Sequence, residues 1–225
     1  FTFACHGLSL SIGSTDKLDV QFVKDVKGFM DEHNIEVYSE HLSYCSHEGH
    51  MYDLMPIPFT LQAAKYVAQR IEQVQDIIQR PLIMENVSTY ASPGQEMSEL
   101  DFLLEVVERS GCKILLDVNN VYVNSINHGF DAQHYIKSIP SHYIEYLHIA
   151  GHLAEDKDLL VDTHGSDINS PVWQLLELAY SCHGILPTLL ERDFNFPPMN
   201  ELMSEINQIK HYQQKQEASH ERQLA

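Results

Sequence analysis

The side chains in this chain that could do chemistry stand at the ends of short apolar runs. Residues 144–147 lead into His148, and a few apolar residues followed by His, Glu or Asp recur along the chain. The six residues at these run ends are His6, His41, Glu85, Asp117, His148 and Glu191. Asp162 and His164 follow His148 as an Asp-x-His pair. Imidazoles and carboxylates without a thiolate form a borderline-to-hard ligand set that suits iron, manganese or zinc.

These eight side chains are too many for one ion that keeps an open coordination position. Two or three metal ions that share carboxylates would use them all. A carboxylate can bridge two ions because it has two oxygens, so Glu85 and Glu191 are the natural bridges. The run ends therefore predict a multinuclear metal site.

Each of these residues also has a simpler interpretation. A single His at a strand end is typical of a hydrogen-bonding residue, and Glu-Asn or Asp-Val-Asn is typical of a helix cap or an ordered loop. Repetition favours the metal site, because Ser, Thr, Asn and Gly should dominate ordinary caps. We interpret five further histidines as loop or surface residues, namely His47, His50, His128, His134 and His183.

Four residues near the predicted site keep more than one interpretation. His152 lies close to the site in sequence, but it could equally anchor the turn at Gly151. Asn86, Asn119 and Asn120 could be ligands, hydrogen-bond donors behind the ligands, or turn formers.

The apolar runs alternate with segments of helical periodicity. Thr60 and Ser98 are predicted N-caps, Gly111 and Gly184 are predicted helix ends, and Pro171 stands at a predicted helix start. The strand runs are continuously apolar, which is typical of parallel strands buried on both faces. Successive run ends are roughly 30 to 45 residues apart, the length of one βα unit.

This α/β pattern fits a doubly wound open sheet or a TIM-type (β/α)8 barrel. Polar residues after every strand favour the barrel, where all strand ends meet at one mouth, whereas an open sheet concentrates its ligands at a switch point. Six βα units are visible, and the abrupt start at Phe1 predicts two further units upstream. We expect an N-terminally truncated barrel domain over residues 1–210 and a polar C-terminal tail over residues 211–225 that frays from Gln213.

Charge and cysteine usage limit the possible partners and setting. The formal net charge is −18, from 14 basic and 32 acidic residues, and such a surface repels the phosphate backbone of a nucleic acid. The sequence contains no run of eighteen apolar residues, so it predicts no membrane-spanning helix. Cys5, Cys45, Cys112 and Cys182 form no CxxC pair, which favours a reducing, cytoplasmic setting with these thiols filling the core.

Seven strings surround the candidate ligands. They are Cys5-His6-Gly7-Leu8-Ser9-Leu10-Ser11, Ser39-Glu40-His41-Leu42, Glu85-Asn86-Val87-Ser88-Thr89-Tyr90, Leu116-Asp117-Val118-Asn119-Asn120-Val121-Tyr122-Val123, His148-Ile149-Ala150-Gly151-His152, Asp162-Thr163-His164 and Glu191-Arg192-Asp193. In this order they resemble the multinuclear non-heme iron-dependent oxidative enzymes (MNIO), the family that includes the iron enzyme of methanobactin biosynthesis. The resemblance runs from residue 1 to about residue 205.

The resemblance implies a TIM barrel that holds two or three irons. By position in the motifs, His6, His41 and Glu85 would bind one iron. Glu85, Asp117, His148 and Glu191 would bind its neighbour, with Glu85 bridging, and these four would be the catalytic residues. Asp162 and His164 would help to bind a third ion.

The resemblance also implies an activity, namely the oxidation of cysteines in a small ribosomally made precursor peptide. A cysteine thiolate is a good iron ligand, and iron binding favours its deprotonation near neutral pH. Dioxygen would be the co-substrate, and a small partner protein would recruit the peptide.

Two alternatives remain open from the sequence. The first is a divalent-metal TIM-barrel hydrolase or isomerase that resembles endonuclease IV or xylose isomerase. The second is a metal-binding module without catalytic activity.

Overall fold

The computed structural model describes residues 3–224, so Phe1 and Thr2 of the expected first strand, and Ala225 of the expected tail, lie outside the described residues. The chain forms two compact units, Phe1–Leu115 and Leu116–Ala225.

The first unit alternates parallel strands with helices. Its elements are β1 Ala4–Gly7, α1 Val20–His33, β2 Val37–His41, β3 Tyr44–Ser46, β4 His50–Met55, α2 Leu61–Ile78, β5 Ile83–Glu85, α3 Glu99–Ser110 and β6 Lys113–Asp117, whose last two residues open the second unit. β1, β2, β5 and β6 pair in this order, and every pairing is parallel. In this register His6 lies opposite Ser39 and His41 lies opposite Glu85.

The helices of the first unit begin and end where their capping residues predict. The side chains of Thr60 and Ser98 accept hydrogen bonds from the first turns of α2 and α3, and Gly111 ends α3 in the left-handed conformation. These three predictions are confirmed. α2 packs an apolar face of helical spacing into the core, comprising Ala64, Val67, Ile71, Val74 and Ile78.

The second unit continues the alternation. Its elements are α4 Val118–His128, α5 Ala132–Ser138, β7 Ile144–Ile149, β8 Leu153–Asp156, β9 Leu159–Val161, α6 Ser170–His183, β10 Thr188–Leu190 and α7 Met199–Leu224, with a 3-10 turn at Ser141–Tyr143. β7 and β10 are parallel, and His148 lies opposite Leu189. α6 begins after its N-cap Asn169 with Pro171 in the first turn and ends at Gly184, as the sequence predicts for the proline and the glycine.

Helix α4 is absent from the sequence-based expectation. It begins at Val118, directly after β6, and the Asp117 side chain caps it by accepting a hydrogen bond of 2.6 Å from the Asn120 backbone N–H. β-Branched residues and Asn are weak helix formers, so propensity alone does not reveal this helix. Burial of its inner face, including Val121, overrides that preference.

Three other segments also differ from expectation. β3–β4 and β8–β9 are antiparallel hairpins that the apolar runs did not predict. α7 continues to Leu224 where the tail was expected to fray from Gln213. The Gln213 amide donates hydrogen bonds to Tyr180 Oη and to the Leu186 carbonyl, both at 3.3 Å, so tertiary contacts support the helix there. The division of domains at residue 210 stays a prediction.

The cysteines follow the expectation only in part. Cys45 and Cys112 are buried, and burial raises the pKa of the Cys112 thiol to about 11. Cys182 is exposed, so the prediction that it fills the core is wrong. Within residues 3–224, no helix combines the length and the apolar character needed to cross a membrane.

Candidate metal centre

The first unit brings three predicted ligands together at the ends of its strands. We call His6, His41 and Glu85 the His6 cluster. Nε2 of His6 and Nε2 of His41 each lie 3.1 Å from Oε2 of Glu85, which is 2% exposed. The ligand atoms all lie within 4.8 Å of one another. Because parallel strands end at the same edge of a sheet, residues far apart in sequence meet here, as the sequence predicts for these three.

In each ring, the hydrogen-bond partner of Nδ1 fixes the tautomer. Nδ1 of His41 lies 2.9 Å from the carbonyl oxygen of Gly7, which can only accept, so Nδ1 carries the proton. Nδ1 of His6 lies 2.8 Å from Ser39 Oγ, and the Ser39 hydroxyl donates to the Cys5 carbonyl at 3.3 Å. Ser39 Oγ therefore accepts from His6. In the neutral rings, both Nε2 atoms direct lone pairs toward Glu85.

This arrangement fits a divalent metal ion. An imidazole lone pair and a carboxylate oxygen at 3.1 Å repel each other unless a proton or a cation lies between them. Metal-binding histidines characteristically donate the other ring N–H to a carbonyl or another acceptor, which orients the ring and makes it more basic. Both histidines of the His6 cluster have this feature.

Glu40 lies beside the His6 cluster and has no role in the sequence-based expectation. It is 1% exposed, and its Oε1 accepts hydrogen bonds from Tyr38 Oη at 2.8 Å and from the Leu10 backbone N–H at 3.2 Å. Burial raises the pKa of the Glu40 carboxyl group to about 7. A Cβ at Gly7 would lie 2.1 Å from Glu40 Oε1, so only glycine fits there without displacing the carboxyl group. Glu40 thus connects β2 to the loop that follows β1.

The second unit collects a larger group of imidazoles and carboxylates. We call this group the His164 cluster, made of Asp117, His148, Asp162, His164, Glu191 and Asp193. Glu191 Oε2 lies 2.9 Å from His148 Nδ1 and 3.5 Å from His164 Nδ1. His164 Nε2 lies 2.6 Å from Asp162 Oδ1. The ligand atoms of Asp117, His148 and Glu191 lie within 4.8 Å of one another. All five residues predicted in this unit are therefore near neighbours.

Asp193 is a member of this cluster that the sequence analysis did not single out. Its Oδ2 lies 3.2 Å from His164 Nδ1, and its backbone N–H donates to the His164 carbonyl at 3.0 Å. Its position two residues after Glu191 is a signal that sequence reasoning could have used. Asp193 is 61% exposed, so it marks the solvent side of the cluster.

Charge within the His164 cluster is strongly coupled. Burial disfavours the charged form of His164, but the carboxylates of Asp162 and Glu191 outweigh it and raise the pKa of His164 to about 12. Burial likewise opposes the charge on Glu191, yet His148 and His164 lower its pKa to about 2. Without a metal, the His164 imidazolium balances the carboxylates. A metal ion bound by these side chains would balance their charge in place of that proton.

The structure resolves the roles of His152 and Asn119. His152 Nδ1 lies 2.7 Å from Asn119 Oδ1, and His152 Nε2 lies 2.9 Å from Asn169 Nδ2. Asn119 Nδ2 donates to Asp162 Oδ1 at 2.8 Å. The polar atoms of both side chains are engaged in these hydrogen bonds, so we interpret neither residue as a metal ligand. Asn86 and Asn120 are buried, and the Asn120 backbone N–H donates to Asp117.

The five histidines interpreted as loop or surface residues belong to neither cluster. Four of them are exposed, namely His47, His50, His128 and His134. His183 is half-buried at the end of α6, where its Nε2 lies 3.0 Å from the Ile136 carbonyl.

Comparison with known proteins identifies relatives along nearly the whole chain. A family model described as "RiPP precursor modification enzyme MbnB/TglH/ChrH" matches residues 1–214. A UPF0276 protein of Shewanella oneidensis is 61% identical over 224 residues, which is 100% of this chain and 80% of the relative. A UPF0276 protein of Pseudomonas aeruginosa is 52% identical over 213 residues, covering 95% of this chain and 75% of the relative.

Solved structures with the same fold are distant in sequence. An L-ribulose 3-epimerase has a TM-score of 0.64 at 15% identity, covering 100% of this chain and 79% of its own. The IOLI protein with a bound zinc atom has a TM-score of 0.57 at 13% identity, covering 96% of this chain and 75% of its own. At this identity the likeness concerns the fold alone, and it confirms the predicted TIM-type α/β fold.

Proposed function

The chain belongs to the MbnB/TglH/ChrH family of RiPP precursor modification enzymes, and from this premise we propose that it oxidises cysteine residues of a ribosomally synthesised precursor peptide, using iron and dioxygen. The observation that carries the proposal is the His6 cluster, where two tautomer-fixed imidazoles direct Nε2 toward the Glu85 carboxylate. Two imidazole Nε2 atoms that converge on one buried carboxylate oxygen, each at 3.1 Å, form a donor set suited to a cation.

The proposed ligands are the eight residues of the sequence-based expectation. His6, His41 and Glu85 would bind iron in the first unit. Asp117, His148, Asp162, His164 and Glu191 would bind iron in the second. Oxygen and nitrogen ligands of this kind suit ferrous and ferric iron, and the absence of a thiolate among the eight leaves sulfur coordination to the substrate.

Iron held by these residues would supply the redox change that the oxidation needs, with dioxygen as the oxidant. The protein supplies the geometry. Gly7 and Ser39 accept the Nδ1 protons and so keep both Nε2 atoms available as ligands. Burial of Glu85 and His148 excludes water from the inner side of each cluster, which strengthens their interactions with a cation.

The partners follow from the proposed chemistry. The substrate is a cysteine-containing precursor peptide, and a small partner protein recruits it to the enzyme. The net charge of −18 favours a peptide with a basic leader and disfavours nucleic acid. A reducing, cytoplasmic setting keeps both the substrate thiol and ferrous iron available.

The test is co-production of the full-length protein with a candidate cysteine-containing precursor peptide and the partner protein encoded nearby. We expect a mass change confined to the peptide cysteines, iron bound to the purified protein, and oxygen uptake that depends on the peptide. Glu85→Gln should abolish the mass change and the oxygen uptake and lower the iron content, whereas Glu145→Gln at an exposed strand position should preserve all three. Iron-loaded protein that leaves the peptide unchanged and consumes no oxygen would contradict the proposal.

A further inference from the structure

A directed chain of hydrogen bonds lies behind Asp162 in the second unit. It runs from Asn169 to His152, from His152 to Asn119, and from Asn119 to Asp162, with donor-to-acceptor distances of 2.9, 2.7 and 2.8 Å. Asn119 is fully buried in the first turn of α4, and Asn169 is the N-cap of α6. These hydrogen bonds therefore connect the starts of α4 and α6 to the loop that carries Asp162 and His164.

The chemistry of the end groups fixes the direction of this chain. Asp162 Oδ1 is a carboxylate oxygen that accepts, so Asn119 must present its NH2 group to Asp162 and its oxygen to His152. His152 must then carry its proton on Nδ1. At the other end, Asn169 Oδ1 accepts from the Val172 backbone N–H, which leaves the Asn169 NH2 group to donate to His152 Nε2.

The direction of the chain orients the Asp162 carboxylate. Asn119 binds Oδ1, the same oxygen that lies 2.6 Å from His164 Nε2, so the carboxylate cannot rotate away from His164 without losing the amide donor. His152 is neutral in this arrangement, and its burial, which lowers its pKa, agrees with that.

We propose that Asn119 and His152 are positioning residues that hold Asp162 toward His164 and so set the affinity of the His164 cluster for its metal ion. The inference rests on the proposed function, since it presumes that Asp162 and His164 bind metal. Neither residue touches the ion itself. Their effect passes through the orientation of one carboxylate, and removal of such a hydrogen-bonded partner typically weakens metal binding about 10–100-fold.

Substitutions at His152 separate positioning from general packing. Asn places an amide N–H where Nδ1 lies and can still donate to Asn119. Gln places its amide near Nε2 and preserves only the contact with Asn169. Leu removes both hydrogen bonds. The proposal predicts that His152→Asn retains most of the metal affinity, whereas His152→Gln and His152→Leu both lose about 10–100-fold.

The experiment is anaerobic titration of the metal-free, full-length protein with ferrous iron, with dissociation constants from chelator competition and metal content from elemental analysis. Asp162→Ala identifies the ion that belongs to this cluster. Asn119→Ala should weaken the binding of the same ion. Adding His152→Leu to Asn119→Ala should cause no further loss of affinity, because both residues act through the same series of hydrogen bonds. Circular dichroism and urea unfolding of the metal-free proteins establish that each variant folds.

The outcomes distinguish this inference from the proposed function. Wild-type protein that binds no iron would overturn both. Loaded wild-type protein, with Asp162→Ala losing an ion but Asn119→Ala and His152→Gln binding normally, would overturn the positioning role alone. Equal losses in His152→Asn and His152→Leu would also overturn it, because the size of the side chain and not the donor to Asn119 would then matter. If His152→Leu does not fold, the comparison of His152→Asn with His152→Gln still decides.

Discussion

Nε2 of His41 lies 3.1 Å from Oε2 of Glu85, while Nδ1 of the same ring lies 2.9 Å from the Gly7 carbonyl oxygen. The strand register brings this about, because His41 and Glu85 are direct partners at the ends of β2 and β5. One ring therefore connects three strands and directs a lone pair toward a buried carboxylate.

Removal of either member of this pair should remove an ion. His41→Ala and Glu85→Gln are expected to lower the iron content of anaerobically loaded protein by at least one ion per chain, because each deletes a ligand from a three-residue set. Elemental analysis measures this directly. His134→Ala, at an exposed position on α5, is the matched control and should bind the full complement. Unchanged iron content in Glu85→Gln would refute the assignment of this cluster.

Removal of the Ser39 hydroxyl should weaken the binding of the same ion without deleting a ligand. Ser39→Ala takes away the acceptor of the His6 Nδ1 proton, so the ring loses its orientation and tautomer preference. We expect about 10–100-fold weaker iron binding by chelator competition. Ser181→Ala, at an exposed position on α6, controls for the loss of a hydroxyl group. An unaltered dissociation constant in Ser39→Ala would show that the tautomer is set by other contacts.

Glu40 should make the metal-free protein less stable at high pH. Its carboxyl pKa is raised by burial to about 7, above its ordinary value of 4.5, so its contribution to stability is full below pH 4.5 and is lost as pH rises through 7. Glu40→Gln cannot ionise. Between pH 5 and pH 8, wild type should lose up to about 3 kcal/mol more unfolding free energy than the variant, at 1.36 kcal/mol per pKa unit.

Urea unfolding of chelator-treated protein at several pH values measures this difference. The comparison of two proteins cancels the titration of the other groups. Parallel pH profiles for wild type and Glu40→Gln would mean that Glu40 is charged or solvated at neutral pH in the folded protein.

Two glycine-to-alanine substitutions should have opposite effects on stability. A Cβ at Gly151 would lie 2.0 Å from the Ser166 carbonyl oxygen, so Gly151→Ala forces two backbone segments apart at an expected cost of about 1–3 kcal/mol. A Cβ at Gly28, in the middle of α1, meets no atom within 4 Å, and Gly28→Ala should stabilise by about 0.5–1 kcal/mol. Thermal and urea unfolding measure both. A neutral Gly151→Ala would mean that the loop at Ser166 yields easily.

The sequence revealed the strands and their functional ends because burial leaves a local signature. The parallel strands begin as short apolar runs such as residues 82–84 and 114–116, and a charged or imidazole side chain after such a run is conspicuous. This pattern revealed His6, His41 and Glu85. Because parallel strands end at the same edge of a sheet, the sequence also predicted that these three side chains meet. Caps such as Thr60 and Ser98 were also readable, since the capping side chain and its helix are neighbours in sequence.

Other features left no such signature. The start of α4 at Val118 runs against the helix propensity of its residues, and only burial against the rest of the second unit explains it. Asp193 had no assigned role in the sequence, and only the fold places its carboxylate 3.2 Å from His164. His152 lies near the predicted ligands in sequence, yet its hydrogen bonds to Asn119 and Asn169 exclude it as one.

The sequence by itself determined the class of fold, the order of its parallel strands and of the helices other than α4, and the kinds of side chain that stand at the ends of those strands. Only the tertiary structure decided which carboxylate faces which ring, which nitrogen of each histidine carries the proton, and which asparagines support the ligands. The physical reason is that apolar periodicity and capping act between residues a few positions apart. Hydrogen-bond direction depends on the atoms that the fold brings within about 3 Å, from any distance along the chain.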